Sequence, residues 1–87
     1  MTRTPRPWTQ PEPDDVAVPA LGRLRTVRQV EHADGLLARV AYEDRRGLNT
    51  CAAVTWVTWC RRYAVQYWRG GVDLLAAEAS GSAEATA

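Results

Sequence analysis

The chain has no Phe, no Ile and no Lys, a single His and only two Cys in its 87 residues. Each absence excludes something. A structural zinc site needs a full tetrahedral set of Cys and His ligands, which His32, Cys51 and Cys60 cannot supply. Two Cys make no disulfide framework, so both read as small apolar residues kept reduced in a cytosol. No stretch approaches the ~18 apolar residues of a membrane span. The opening segment MTRTPRPWTQPEPDD has no apolar run behind its Arg residues, so no signal peptide is expected and the location expected is cytoplasmic. Phe, Ile and Lys have AT-rich codons, whereas the abundant Ala and Arg have GC-rich ones, which points to a GC-rich genome. That same bias puts Arg where Lys would serve, so the number of Arg residues alone says little about function.

What is present is unevenly placed. Residues 23–69 carry a net charge of +5, all of it from Arg, while the first 22 residues sum to −1 and the last 18 to −3. A basic centre between acidic ends suits a phosphate-rich partner, or is simply a solvated surface. The stretch from Ala41 to Gly71 holds three of the four Trp, all three Tyr and both Cys. A domain of about 60 residues hides only roughly 60% of its chain surface, so these large side chains are the expected anchors of a marginal core.

Composition divides the chain into three parts. Residues 1–20 hold all five Pro and read as an extended, irregular arm. Trp8, in the middle of that arm, either packs back on its own domain or anchors a partner. Residues 21–71 read as one compact domain. Residues 72–87, VDLLAAEASGSAEATA, begin with a helical turn and continue as a flexible Ala/Ser/Gly tail without bulk to bury.

The central domain reads as hairpins followed by a helix. HADG at 32–35 contains an Asp-Gly pair, which tolerates the positive φ of a tight turn. A strand over Leu24–Glu31 precedes it. The following LLARVAYE alternates, with Ala38, Val40 and Tyr42 on one face and Arg39 and Glu43 on the other. DRRG at 44–47 makes the next turn, and a strand over Leu48–Val54 then runs back, placing Tyr42 opposite Asn49 and Val40 opposite Cys51. Trp56, Trp59, Cys60, Tyr63 and Tyr67 fall on one helical stripe. The helix is expected from Thr55 as cap, with Gly70-Gly71 closing it. Two alternatives stay open. The helix extends back to Asn49, against the β-branched residues there, or it stops near Ala64 and leaves VQYW as a final strand. The fold class expected is α+β: a small curved antiparallel sheet of about three strands packed on one amphipathic helix. Its core would be Val40, Tyr42, Cys51, Trp56, Trp59, Cys60 and Tyr63.

The run RVAYEDRRGLNTCAAVTWVTWCRRYA resembles a pattern in small uncharacterised accessory proteins of actinobacterial phages. In that pattern a strand ending Tyr-x-Asp leads through a Gly turn to a second strand and an aromatic-x-x-Trp helix. Here Tyr42, Asp44, Gly47, Thr50, Cys51, Trp56, Trp59 and Arg61 occupy those places. The resemblance implies a phage-derived accessory role, agrees with the GC-rich composition and carries no catalytic residues.

No catalytic set is apparent. Cys51, Cys60, Ser80 and Ser82 are potential nucleophiles and His32 the one imidazole, but no spacing brings a nucleophile to a base. Asp14–Asp15 and Glu43–Asp44 read as solvated neighbours. Gly70-Gly71 lacks the context of a phosphate loop. No enzyme activity, cofactor or metal is expected. The primary reading is a protein-binding accessory factor using Trp8, Arg45, Arg46 and Trp68, residue types enriched at interface hot spots. A free strand edge would also allow a homo-oligomer. The alternatives are nucleic-acid binding through Arg23, Arg25, Arg28, Arg39, Arg61 and Arg62, which requires these Arg to converge on one face, and a structural role in a phage particle.

Overall fold

Asp34 and Gly35 form a two-residue turn, with φ of 54° and 78°. Two successive positive-φ residues match the right-handed twist of the strands they join. They connect β2 (Arg25–Ala33) to β3 (Leu36–Asp44), and a second two-residue turn at Arg45–Arg46 leads into β4 (Gly47–Ala52). Tyr42 stands opposite Asn49 and Val40 opposite Cys51, the register expected from the turn length. The computed structural model describes residues 6–85, with side chains to residue 79.

The remaining elements are β1 (Val16–Pro19), α1 (Ala53–Tyr63), β5 (Ala64–Arg69), β6 (Val72–Asp73) and α2 (Leu74–Ala85). The fold is α+β, with one open antiparallel sheet in the order β4-β3-β2-β1-β5-β6. Six strands and two helices replace the three strands and one helix expected. β1 is the strand that composition concealed. It lies inside the Pro-rich segment yet occupies the middle of the sheet, between β2 and β5. Pro19 sits where the β1–β5 register shifts, a position that does not demand the missing amide donor.

The helix boundaries differ from expectation at both ends. α1 begins at Ala53, with Ala52 at the N-cap and no side-chain cap, so Thr55 lies inside the helix. It ends at Tyr63, where Ala64 turns to extended backbone and its N–H bonds back to the Cys60 carbonyl. The chain then runs on as β5, the alternative left open above. Gly70 and Gly71, with φ of 57° and 82°, make the β5–β6 turn rather than a helix cap.

Both helices contribute to one core. Trp8, Ala17, Val27, Val40, Trp56, Cys60, Tyr67 and Leu74 form its buried cluster, and Tyr42, Cys51 and Trp59 pack against it partly buried. Tyr63, expected in the core, is exposed, because the helix turns its last aromatic outward before the chain enters β5. Tyr67 takes the buried place from the strand. The opposite sheet face has no large buried side chain. It carries the Arg28–Glu43 ion pair (2.7 Å) and exposed Leu48.

Asp15 and the arm form a second centre. Asp14 adopts φ of 73°, a left-handed turn that swings the chain so that Asp15 enters the interior. The Asp15 carboxylate is fully buried. It accepts from Arg69 Nε (2.9 Å) and Nη2 (2.7 Å), from the Tyr67 hydroxyl (2.8 Å) and from the Glu12 amide (2.9 Å). Arg69 also donates to the carbonyls of Arg6 (2.6 Å) and Gln10 (3.0 Å), so one guanidinium fastens the arm to β5. A buried carboxylate is tolerable only with this many donors.

Candidate functional site

One corner of the molecule gathers unpaired cations against aromatic rings. The loop from β1 into β2 brings Leu21 and Arg23, the start of β2 brings Arg25, the end of β3 and the turn after it bring Asp44 and Arg46, and the last turns of α1 bring Trp59 and Tyr63. These residues line an open cleft of about 510 Å³. The β2–β3 register sets the Arg25 position: Thr26 pairs with Glu43, so Arg25 stands beside Asp44 at the end of the ladder. Arg25 shares the pleat face of Val27, which turns it toward the helix.

The guanidinium carbon of Arg25 lies 3.9 Å from the Trp59 ring centroid and 4.6 Å from that of Tyr42. Cation–π contacts at this range hold the planar group in place while leaving its donor edge open. Behind it the rings are linked, with centroids 5.5 Å apart for Tyr42–Trp56, 6.2 Å for Trp56–Trp59 and 5.9 Å for Trp59–Tyr63. Arg25 therefore rests on rings that are themselves fixed by the core. Asp44 Oδ1 accepts the Arg46 amide at 2.8 Å, which fixes the turn. Among the described residues, Arg28 and Arg69 form ion pairs, whereas Arg23, Arg25 and Arg46 have no carboxylate within ion-pair distance. The rim is apolar: Leu21 is 91% exposed and Tyr63 49%.

The structure sorts the expected binding residues. Arg46 joins Arg23 and Arg25 in the cleft, and Arg45 and Arg28 line an adjoining depression that shares Arg23 and Asp44. Arg62 flanks Tyr63, 5.7 Å from its ring, in a smaller depression on α1. The other cations do not join them. Arg39 pairs with Ala52 and Glu31 in the ladder, on the pleat face opposite Val40. Arg61 lies over the Trp8 ring at 5.6 Å. The full set of six Arg thus fails to converge. Trp8 is buried, with its Nε1 donating to Glu78 Oε2 at 3.0 Å and its ring 6.2 Å from Tyr67. It serves the core and presents no free anchor. Trp68 pairs with Val16 and is 37% exposed, on the pleat face opposite Tyr67.

The thiols are poor nucleophiles. Burial pushes the Cys60 pKa up to about 12 and raises that of Cys51 despite the opposing pull of Arg25 and Arg39. Burial, then Asp15, pushes Tyr67 up as well. His32 is exposed at the β2 end, and no hydrogen bond joins it to either Cys among the described residues. No group of three metal-ligating side chains occurs among the described residues, and no helix there is long and apolar enough to cross a membrane.

Sequence reasoning missed two contributors to this architecture. Asp15 read as a solvated acid and Arg69 was unassigned, yet they meet from 54 residues apart. Leu21 and Tyr63 were not assigned to a surface, though both rim the cleft. Compared with known proteins, the chain matches no family model, no curated protein and no solved structure, so the cleft is read from its own geometry.

Proposed function

We propose that this protein is a non-enzymatic binder that docks an acidic, apolar-bearing segment of a partner protein in the Arg23–Arg25–Arg46 cleft. The observation that carries this is Arg25, held over Trp59 and Tyr42 with no carboxylate partner among the described residues. A pre-oriented guanidinium with free donors gives up little side-chain entropy on meeting an oxyanion. Exposed Leu21 and Tyr63 beside it offer apolar area to the rest of such a segment. Arg, Trp and Tyr are also the residue types that dominate interface energetics. The raised thiol pKa values weigh against a Cys nucleophile. A small phage-encoded accessory factor would act in this manner.

A second reading, single-stranded nucleic-acid binding, draws on the adjoining depressions that together hold Arg23, Arg25, Arg28, Arg45 and Arg46. It is weaker on two counts. Glu43 and Asp44 interrupt that surface. Arg39 and Arg61 are turned elsewhere, leaving no continuous basic track for a backbone. The test is fluorescence anisotropy at about 50 and 200 mM salt with a labelled Asp/Glu/Leu peptide and a labelled oligothymidine. The proposal expects micromolar peptide binding that weakens with salt and is lost in Arg25→Ala. Absence of peptide binding at the lower salt would sink it, and tighter oligonucleotide binding would replace it with the second reading.

A further inference from the structure

Building on that docking role, we infer that the cleft is matched to a phosphomonoester carried on a side chain of the partner segment. Charge decides between oxyanions. Arg23, Arg25 and Arg46 face one space with Asp44, leaving the cleft two positive charges in excess. A phosphorylated side chain brings roughly −1.5 to −2 at neutral pH, whereas a carboxylate or a backbone phosphodiester brings about one charge. Only the monoester approaches neutrality in a single group.

Geometry agrees. Arg25 is fixed by Trp59 at 3.9 Å and Tyr42 at 4.6 Å, so its donor edge is committed in direction before a ligand arrives. Arg23 enters from the β1–β2 loop and Arg46 from the β3–β4 turn, giving donors from three separate points of the chain. Three acceptor oxygens on a phosphate can meet donors from several directions, which a flat carboxylate cannot. Asp44 repels anions, but its Oδ1 is engaged by the Arg46 amide, and it disfavours a chain of phosphates more than one isolated group. Leu21 and Tyr63 at the rim then pack the residues beside the modified side chain, which favours a protein segment over a nucleotide.

The test uses the full chain and two fluorescein-labelled peptides of one acidic, Leu-containing sequence, with a central Ser either free or phosphorylated. Anisotropy titrations at about 100 mM salt read the difference. Phosphorylation is expected to tighten binding by about tenfold or more, the scale of one additional charge-assisted pair. Arg25→Lys, which keeps the charge but loses the fork, should remove most of that gain while the urea unfolding midpoint stays close to that of the parent. Arg39→Ala should leave it intact. Equal affinity for the two peptides overturns the phosphate inference and leaves acidic-segment docking standing. Failure of both peptides to bind overturns both. An unlabelled oligothymidine that displaces the phosphopeptide at matching concentration also overturns it, since a diester would then suffice.

Discussion

Arg69 grips Asp15 with two prongs, Nε to Oδ1 at 2.9 Å and Nη2 to Oδ2 at 2.7 Å, where the carboxylate is fully buried. The same guanidinium holds the Arg6 and Gln10 carbonyls, and Tyr67 donates to the same carboxylate. Hydrogen bonding to Asp15 raises the Arg69 pKa against the opposing effect of burial, so this cation stays charged. Removing one member of a buried pair leaves the other uncompensated, at about 3–5 kcal/mol. Arg69 keeps some solvent contact, so Asp15→Ala should fall near the lower end, still a large share of the stability of so small a domain. Urea unfolding measures it. A midpoint within error of the parent would show that the cluster does not hold the arm.

Trp56 and Trp59 differ in burial, and their truncations should differ accordingly. Trp56 is fully buried and touches Tyr42, Trp59 and Tyr67, whereas Trp59 is only partly buried. Trp56→Ala should cost about 3–5 kcal/mol and Trp59→Ala distinctly less. Trp59→Ala should instead weaken peptide binding, because it removes the support under Arg25. Thermal melts with anisotropy on the same samples separate the two effects. Equal destabilisation by both would contradict the burial difference.

Alkaline pH should weaken the fold through its buried thiols and its buried phenol. Burial pushes Cys60 up to about 12 from 9.0, raises Cys51 and raises Tyr67 from 10.0. All three folded values lie above the unfolded ones, and the neutral forms are the ones the fold accepts. Their contribution is therefore complete below about pH 9 and is lost as pH climbs past the unfolded values. The urea midpoint should be flat from about pH 7 to 8.5 and fall steadily above about 9. Tyr67→Phe should soften that fall while costing about 1–3 kcal/mol at neutral pH through the lost bond to Asp15. A midpoint unchanged up to about pH 10.5 would show these groups to be solvated.

The legible parts of this fold were local. Asp34-Gly35 announced its turn, and the two-residue turn at Arg45–Arg46 set Tyr42 against Asn49 without long-range information. β1 was illegible because four residues, VAVP, sit among prolines and owe their central place to neighbours on both sides. The break at Ala64 was obscured by coincidence. Tyr67 keeps the helical spacing of Trp56, Cys60 and Tyr63, but reaches the core from a strand. For the cleft, Arg23, Arg25 and Arg46 were each singled out, yet under different roles. Their meeting depends on the loop after β1, and so on the strand that was missed. Asp15 and Arg69 had no local signal at all.

Trp8 is the residue for which sequence left two roles, and one substitution separates them. It is 5% exposed, its indole nitrogen donates to Glu78 of α2, and Arg61 lies over its ring. Those contacts tie the arm to both helices, and none of them belongs to the lining of the Arg25 cleft. Trp8→Ala should therefore lower stability by about 3 kcal/mol, the lower end for a buried Trp because an arm can partly collapse into the space. At a temperature where the variant is still folded, its affinity for the acidic peptide should match the parent. A variant that melts like the parent but no longer binds would return Trp8 to the role of partner anchor. It would also require the arm to leave the Asp15–Arg69 cluster before docking.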